Sequence, residues 1–497
     1  MGTEERSRVD MTTGAIAPRL GQLAWPLVLG NLLQTVYNLA DMFWVGRVSP
    51  EAVAAVSLMF PLSWMFVSTA MGITAATIAL VSQHVGAGED RRADHVVAQT
   101  VLLTLAVSSV LATAGLAARR PLLSLIGARG QVFVEALAYI EVIFLALPFT
   151  FFFFAFRASL QGAGDTRTAM WLMVLSAGAN VVLDPFLVLG WGPFPAWGTF
   201  GAGVATFLSR GAAVALGLAV LLRGGFGVRL HPEDLRPDPE VLRTLVDVGS
   251  PATVDGWARS FAAVAMAGLV ARFGPAATAA YGVGVRLMSV TWSVAGAVGQ
   301  ATATGVGQNL GAGTADRAAR VAFVATAGTM GLLLGATAVV VAFPAAAIRV
   351  FVADPAVVRE GVGFLRIVAP SWAFFGGVMA IQGAFRGAGH TKVAMALSFL
   401  SRWVLRVPVA LVLAFAWTVT LPGGVAVSGP GIGVEGIWWA YATAASGSFL
   451  LAVAWFRRGT WREGVVATGA GRPGPRPAVD REEADGDPDP DADAVDD

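Results

Sequence analysis

Residues 26–50 read PLVLGNLLQTVYNLADMFWVGRVSP, and residues 251–275 read PATVDGWARSFAAVAMAGLVARFGP. An offset of 225 residues aligns the two stretches without a gap, and two prolines and one arginine then coincide. The same offset superposes Gln83-His-Val-Gly-Ala-Gly88 on Gln308-Asn-Leu-Gly-Ala-Gly313, and Gly-Ala-Gly at 162–164 on Gly-Ala-Gly at 387–389. One register kept over so much of the chain indicates an internal duplication.

The composition places both copies in a membrane. Of the 497 residues, 56% are hydrophobic and only 13% are charged, and the mean hydropathy is +0.66. A soluble domain carries about 25% charged residues, so this chain has too little polar surface to remain in water. The chain contains no cysteine, which excludes disulfides, zinc ribbons, iron–sulfur clusters and thiol catalysis. No basic stripe is interleaved with aromatic residues, so nucleic acid is not an expected partner.

Apolar segments of roughly 20 residues, the length that crosses a bilayer as a helix, recur along the chain. We predict an all-α integral membrane protein whose 12 transmembrane helices form two six-helix bundles around a central cleft. The predicted spans are 21–44, 53–82, 96–118, 135–156, 169–190, 199–222, 245–272, 278–307, 318–342, 360–385, 393–416 and 433–456.

Charge sets the predicted organisation and orientation. Arginine and lysine near the span ends number eighteen on the side of the termini and seven on the other side, so both termini are predicted to be cytoplasmic, with the protein in the cell membrane. Residues 480–497 hold ten acids and one base, whereas the rest of the chain carries a net charge of +10. The predicted parts are a cytoplasmic N-terminal segment (1–18), an N-lobe (19–222), a cytoplasmic inter-lobe loop (223–243), a C-lobe (244–458) and a disordered acidic cytoplasmic tail (459–497).

Two carboxylates lie within predicted spans of the N-lobe, where an ionisable residue costs about 2.5–3.5 kcal/mol at a helix centre. Asp41 ends a polar stripe at helical spacing in the first span, and Asp184 follows Asn180 by one turn in the fifth. Both acids are predicted to fall in the outer half of one bundle. The stripe consists of Asn31, Gln34, Tyr37, Asn38 and Asp41, and Met173 and Ser176 lie close to the face of Asp184.

Three functions for these acids are open. The two carboxylates can share a proton, because like charges and desolvation both favour the neutral acid. With Asn180 and nearby carbonyl oxygens they can instead hold Na⁺. In the third case each acid only bonds neighbouring helices, or Asp41 lies too near the interface to matter. The duplicate favours a function, since the matched positions in the second half are Met266 for Asp41 and Val409 for Asp184.

Further features concern movement and excluded classes. Pro26 can kink the first span below Asp41, either as a switch or as a static bend. Asp255 and Arg259 in the seventh span have the spacing of an intrahelical ion pair, which is the favoured interpretation over substrate contact. The chain contains no Walker A sequence and no embedded Ser–His or paired-metal motif, so it is not predicted to be an enzyme, and no cofactor is expected.

Several sequences together resemble the multidrug and toxic compound extrusion (MATE) transporters over roughly residues 15–458. They are LAWP (23–26), NLADMFWVGR (38–47), QHVGAG (83–88), QGAGDT (161–166) and GVEGIWWA (433–440). Within the family the chain is most similar to the DinF-like branch, which has its key acids in the N-lobe. By this resemblance Tyr37, Asp41, Asn180 and Asp184 match the proton and cation site, with Na⁺ possible at the last three, and Pro26 matches the bending point. The NorM-type branch has a glutamate where this chain has Arg259.

The resemblance implies multidrug efflux by secondary active antiport with H⁺ or Na⁺ through alternating access. The expected cargo is bulky, mostly cationic organic compounds or drugs, contacting Gln34, Asn38, Met173 and Tyr139. The protein is expected to act as a monomer surrounded by membrane lipid. One alternative is a flippase or exporter of a lipid or lipid-linked saccharide, although such proteins line the cleft with cationic residues where this N-lobe offers acids. A channel or passive scaffold is the other alternative, and its flux would not respond to an ion gradient.

Overall fold

The computed structural model describes residues 8–420 and 426–466. In the first half each predicted span is one helix, longer than predicted. The six helices are α1 (Ile16–Val45), α2 (Pro50–Gly86), α3 (Asp90–Leu125), α4 (Gly130–Ala163), α5 (Thr166–Leu189) and α6 (Gly198–Arg223).

The second half repeats this order with two divided spans. Its helices are α7 (Pro239–Ala271), α8 (Pro275–Gly311), α9 (Ala315–Ala342), the short α10 (Pro344–Arg349), α11 (Pro355–Val368), α12 (Trp372–Gly387), α13 (Thr391–Phe399), α14 (Val407–Ala414) and α15 (Val434–Arg457). A single 3₁₀ turn at Ala369–Ser371 joins α11 to α12, and a π-helical stretch at Leu400–Arg406 joins α13 to α14. Both pairs therefore form single spans, and the prediction of two six-helix bundles is confirmed.

Local sequence signals start and stop these helices. Helix α4 ends at Gly164, whose positive φ of 94° suits the left-handed conformation that favours glycine. The next residue, Asp165, accepts a hydrogen bond from the Thr168 amide at 3.0 Å and so caps α5. Gly389 has a φ of 82° at the matched position of the second half. The repeated Gly-Ala-Gly sequences are thus sharp turns between long helices.

Hydropathy separates the helices that face lipid from those that face protein. Nine spans formed by the described residues are long and apolar enough to cross a membrane: α2 to α6, α9, the joined α11–α12, the joined α13–α14, and α15. Helices α1, α7 and α8 have 30, 33 and 37 residues but are more polar. These three helices, with α2, pack where the two lobes meet. Their polar residues are accommodated because protein rather than lipid surrounds much of their surface.

Helix α1 belongs to both lobes. Leu20, Leu23 and Leu27 pack in an apolar cluster with residues of α8, α9 and α12. Further along the helix, Tyr37 packs in the apolar cluster of the N-lobe. The sequence assigned the whole of this span to the N-lobe, whereas in the structure its first half lies against the C-lobe.

Some local structure differs from the prediction. An antiparallel hairpin of Thr418–Thr420 and Ala426–Ser428 precedes α15, although no strand was predicted. The predicted acidic tail begins at residue 459, but Trp461 is buried and stacks on Phe456 at a centroid distance of 4.5 Å, because its indole has apolar surface to bury. Residues 467–497 lie outside the described part of the chain.

The lobes meet along small residues that obey the internal repeat. A Cβ atom at Gly86 would lie 1.9 Å from the backbone oxygen of Gln308, and one at Gly311 would lie 1.8 Å from that of Gln83. The offset of 225 residues converts each of these contacts into the other. Helices α2 and α8 therefore cross on the pseudo-twofold axis, and only glycine permits so close an approach.

Candidate functional site

The buried acids of the N-lobe lie on α1 and α5, which pack against each other. Asp41 is 9% exposed and Asp184 is fully buried, and their charges are close enough to interact. Asn180, also fully buried, donates a hydrogen bond from Nδ2 to Asp184 Oδ1 at 3.3 Å. Asp184 and Asn180 face the same side because they are one turn apart on α5.

Several oxygen atoms of this cluster have no hydrogen-bond partner. They are Asp41 Oδ1, Asp184 Oδ2, Asn180 Oδ1 and Ser176 Oγ, and all four are buried. Leaving a buried acceptor unpaired costs about 1–3 kcal/mol, and more for a charged group. A proton on either carboxylate, or a cation held by these oxygens, would remove that penalty. Among the described residues no group of three or more His, Cys, Asp or Glu side chains could hold a metal ion.

Two tyrosines flank the acids. Tyr37 lies one turn before Asp41 on α1 and shares a 2.8 Å hydrogen bond with Thr206 of α6. Tyr139 of α4 is 9% exposed and lies within electrostatic range of both carboxylates. Sequence reasoning missed Thr206, because a threonine in an apolar span carries no signal until its neighbour is known.

The residues expected to contact substrate divide into two groups. Asn38 is exposed and Gln34 is half-buried, and these two side chains share a 3.1 Å hydrogen bond. Met173 is fully buried in the N-lobe core, where it contacts other apolar side chains rather than the cleft. The buried placement of Met173 means that a substrate can reach it only if the lobe rearranges.

Two buried arginines enter the same lobe. Arg210 of α6 donates from Nη2 to Gln34 Oε1 at 3.0 Å, and its guanidinium lies 5.1 Å from the ring centre of Tyr37. Arg210 Nη1 and Arg157 Nε are buried without hydrogen-bond partners. The contrast between an acidic N-lobe and a cationic flippase cleft is therefore incomplete, because this interior contains both signs of charge.

Pro26 lies inside α1, which continues as a helix on both sides of it. Its neighbour Leu27 still packs with the C-lobe, whereas Leu33, little more than a turn and a half further, packs with the N-lobe. A proline weakens a helix by removing one backbone hydrogen bond. The weak point of α1 thus coincides with the place where the helix passes from one lobe to the other.

The second lobe has a charged cluster of different composition. Asp255 Oδ2 lies 3.0 Å from Arg259 Nη2 and 3.4 Å from Arg386 Nη2, and Asp255 Oδ1 lies 3.3 Å from Arg402 Nη1. The predicted ion pair of Asp255 with Arg259 is confirmed, but it is one of three. By the repeat, Asp255 matches Gly30, which is 11 residues or about 16 Å of helix from Asp41. The two charged clusters are therefore separate in origin and in depth.

The chain segments at both ends tie the lobes together at one face. We call the face where α1 begins and α15 ends the terminal face, and the opposite one the distal face. The Val9 amide donates to the Gly164 carbonyl at 3.1 Å, and the Met11 amide donates to Gln308 Oε1 at 2.9 Å. Residues 8–14 thereby bridge the N-lobe and the C-lobe.

A matched bridge uses the other glutamine of the repeat. Gln83 donates from Nε2 to the Gly387 carbonyl at 2.9 Å and accepts from the Val466 amide at 3.0 Å. Within residues 8–420 and 426–466, no hydrogen bond joins the lobes through their distal ends, residues 39–62 and 260–285. The central cleft is closed at the terminal face by these bridges.

Two repeated six-helix lobes around a cleft, with charged groups buried in each, define a membrane transporter. The family model described as MatE matches residues 26–186 and 251–412, one copy in each lobe. The chain therefore belongs to the MATE family. The internal repeat found in the sequence is the boundary between these two copies.

Curated relatives support this membership over nearly the whole chain. The "Probable multidrug resistance protein YoeA" of Bacillus subtilis is 30% identical over 443 residues, which cover 87% of this chain and 91% of that protein. An "FAD transporter" of Shewanella oneidensis is 28% identical over 313 residues, which cover 63% of this chain and 69% of that protein. A solved structure described as the "Outward-facing conformation of a multidrug resistance MATE family transporter of the MOP superfamily" superposes with a TM-score of 0.82 at 23% identity, covering 90% of this chain and 97% of that one.

Proposed function

We propose that this MATE protein is a secondary active exporter of bulky, mostly cationic organic compounds, driven by antiport with H⁺ or Na⁺. The observation that carries the proposal is the set of four buried oxygen atoms on Asp41, Asp184, Asn180 and Ser176 that have no hydrogen-bond partner. A coupling ion that enters the N-lobe supplies the missing partner. The concentration of these acids in the N-lobe is the feature shared with the DinF-like branch.

The coupling step follows from charge balance. With both carboxylates ionised, the lobe attracts an organic cation and Asp41 and Asp184 repel each other. Binding of H⁺, or of Na⁺ to Asp41, Asp184 and Asn180, neutralises that charge and weakens the attraction for the cargo. Bending of α1 at Pro26 then releases the cargo to the distal side, and both termini are cytoplasmic. Gln34, Asn38 and Tyr139 contact the cargo, and the monomer in lipid is the working unit.

Dye efflux from proteoliposomes tests this proposal. Separate Na⁺ and pH gradients are imposed on the wild type, Asp41→Asn and Asp184→Asn, and Asp247→Asn serves as the matched control because its carboxylate is 65% exposed on α7. We expect one gradient to drive efflux, at least a tenfold loss in both N-lobe variants, and no change in the control. Coupled efflux that survives Asp41→Asn would refute the assigned site.

The alternative function remains an exporter or flippase of a lipid or lipid-linked saccharide. The buried guanidinium groups of Arg157 and Arg210 favour it, since such cargo carries phosphate. If no gradient moves cationic dyes through the wild type, a flipping assay with a fluorescent lipid becomes the deciding measurement. Dye flux that ignores every gradient would instead indicate a channel.

A further inference from the structure

The charged cluster of the C-lobe has an excess of positive charge. One carboxylate, on Asp255, faces three guanidinium groups, on Arg259, Arg386 and Arg402. Asp255 is 3% exposed and Arg402 is 12% exposed, so water screens this part of the cluster weakly. Because arginine keeps its charge in proteins, the cluster carries two positive charges that no acid of the cluster neutralises.

Arg406 adds a further positive charge one turn beyond Arg402. Among the described ion pairs none includes Arg406, and its Nε is buried without a hydrogen-bond partner. The guanidinium carbon of Arg406 lies 4.2 Å from the ring centre of Tyr441. The aromatic face orients the guanidinium group, but it does not provide a hydrogen-bond acceptor for Nε.

Arg402 and Arg406 line a pocket inside the C-lobe, between α12, the α13–α14 span and α15. Its polar lining consists of Gln382, Ser398, Ser401, Arg402, Arg406 and Ser448. Gln382 is 1% exposed and donates to Ser398 Oγ at 3.0 Å, while its Oε1 is buried without a partner. The pocket therefore offers guanidinium donors to an anionic group and one amide acceptor to an O–H or N–H donor of the same ligand.

This pocket is not a remnant of the duplication. Arg402 and Arg406 match Ala177 and Val181 of α5, which is a regular helix from Thr166 to Leu189. The second copy instead has π-helical backbone over Leu400–Arg406, the stretch that begins before one arginine and ends at the other. Such π-helical insertions are frequent at functional sites. The guanidinium groups and the altered backbone thus arose together in one lobe.

We infer that the C-lobe pocket binds the carboxylate or phosphate of an organic anion or zwitterion, through Arg402 and Arg406, with Gln382 accepting a hydrogen bond from the same molecule. The inference extends the proposed function, since it adds zwitterions to the cationic cargo. The anionic group belongs either to a transported compound or to a lipid headgroup. The same guanidinium chemistry recognises both.

Equilibrium binding of two matched dyes tests the inference without any ion gradient. Rhodamine 110 carries a free carboxylate, and rhodamine 123 is its methyl ester, so the pair differs only in the anionic group. Fluorescence anisotropy is measured on purified wild type, Arg406→Gln and Arg406→Lys in nanodiscs of phosphatidylcholine. Arg366→Gln is the control, because Arg366 is exposed on α11 and does not line the pocket.

We expect Arg406→Gln to weaken rhodamine 110 binding about tenfold or more, since a hydrogen bond to a charged group contributes about 1.5–3 kcal/mol, and tenfold corresponds to about 1.4 kcal/mol. Rhodamine 123 binding should not change, and Arg406→Lys should restore part of the difference. Equal effects on both dyes, or no effect on either, would overturn the inference. A matched melting temperature for each variant ensures that the comparison is made on folded protein.

A second set of nanodiscs separates the two sources of the anion. If added phosphatidylglycerol weakens rhodamine 110 binding in the wild type but not in Arg406→Gln, the pocket binds an anionic lipid headgroup. If phosphatidylglycerol has no such effect, the ligand is a soluble anion. Failure of the dye comparison leaves the gradient-driven efflux assay with Asp41→Asn untouched, so the inference and the proposed function can fail independently.

Discussion

The crossing of α2 and α8 permits a quantitative test of how the lobes close. We consider the change of Gly86 to alanine. The added Cβ would lie 1.9 Å from the backbone oxygen of Gln308, whereas ordinary contact begins at 3.4 Å. The helices must therefore separate by about 1.5 Å at this point, and overpacking of this kind costs about 1–3 kcal/mol. The penalty falls on the conformation that is closed at the terminal face.

If the open conformation relieves the clash, the equilibrium between the two conformations shifts by about 5- to 150-fold. The absence of cysteine from the chain makes the measurement direct, because introduced cysteines are the only labelling sites. Spin labels at Arg92→Cys on α3 and Arg320→Cys on α9, both exposed near the terminal face, report the distance between the lobes. We expect Gly86→Ala to increase the population with the longer distance.

The internal repeat supplies a second test of the same reasoning. Gly311→Ala should have a similar effect, since its Cβ would lie 1.8 Å from the backbone oxygen of Gln83. Gly178→Ala is the matched control, because no atom lies within 4 Å of the added Cβ on α5. An unchanged distance distribution and an unchanged melting temperature in both Gly86→Ala and Gly311→Ala would refute the argument.

Three further predictions concern stability. Asp255→Asn should destabilise the protein by about 3–5 kcal/mol in denaturant titrations, because it leaves buried guanidinium groups without their anion, and a loss below about 1 kcal/mol would contradict the cluster. Tyr37→Phe and Thr206→Val should each cost about 1 kcal/mol, and the double variant should cost less than their sum, so strict additivity would exclude the hydrogen bond. The hydrogen bond with His95 lowers the pKa of Asp238, the cap of α7. A carboxyl with a lowered folded-state pKa stabilises above its unfolded value and loses that effect as pH falls through the folded value, so Asp238→Ala should cost about 1 kcal/mol at pH 7 and much less below about pH 4 in thermal melts.

The duplication, the spans and the family resemblance were predictable from the sequence. Apolar segments of bilayer length must form helices, because every backbone polar group in lipid needs an internal partner. For that reason all twelve predicted spans coincide with helices, and the offset of 225 residues marks the two lobes. Embedded acids such as Asp41 and Asp184 were candidates for the same energetic reason.

The partners of these residues depend on the tertiary structure. Periodicity gives the face on which a residue lies, but not the residue that approaches it from another helix. Thr206 beside Tyr37, Arg210 beside Gln34, and the position of Met173 in the core follow only from how α1, α5 and α6 pack.

The same limit applies to the ion pairs of the C-lobe. The spacing of Asp255 and Arg259 predicted one bond within a helix, and the structure adds two arginines from residues 131 and 147 positions away in the chain. The sequence by itself determined the membrane fold, its repeat and the buried acids, because burial in lipid restricts composition and length. The tertiary structure alone decided which charges meet, because contacts between helices depend on packing over separations that local patterns do not encode.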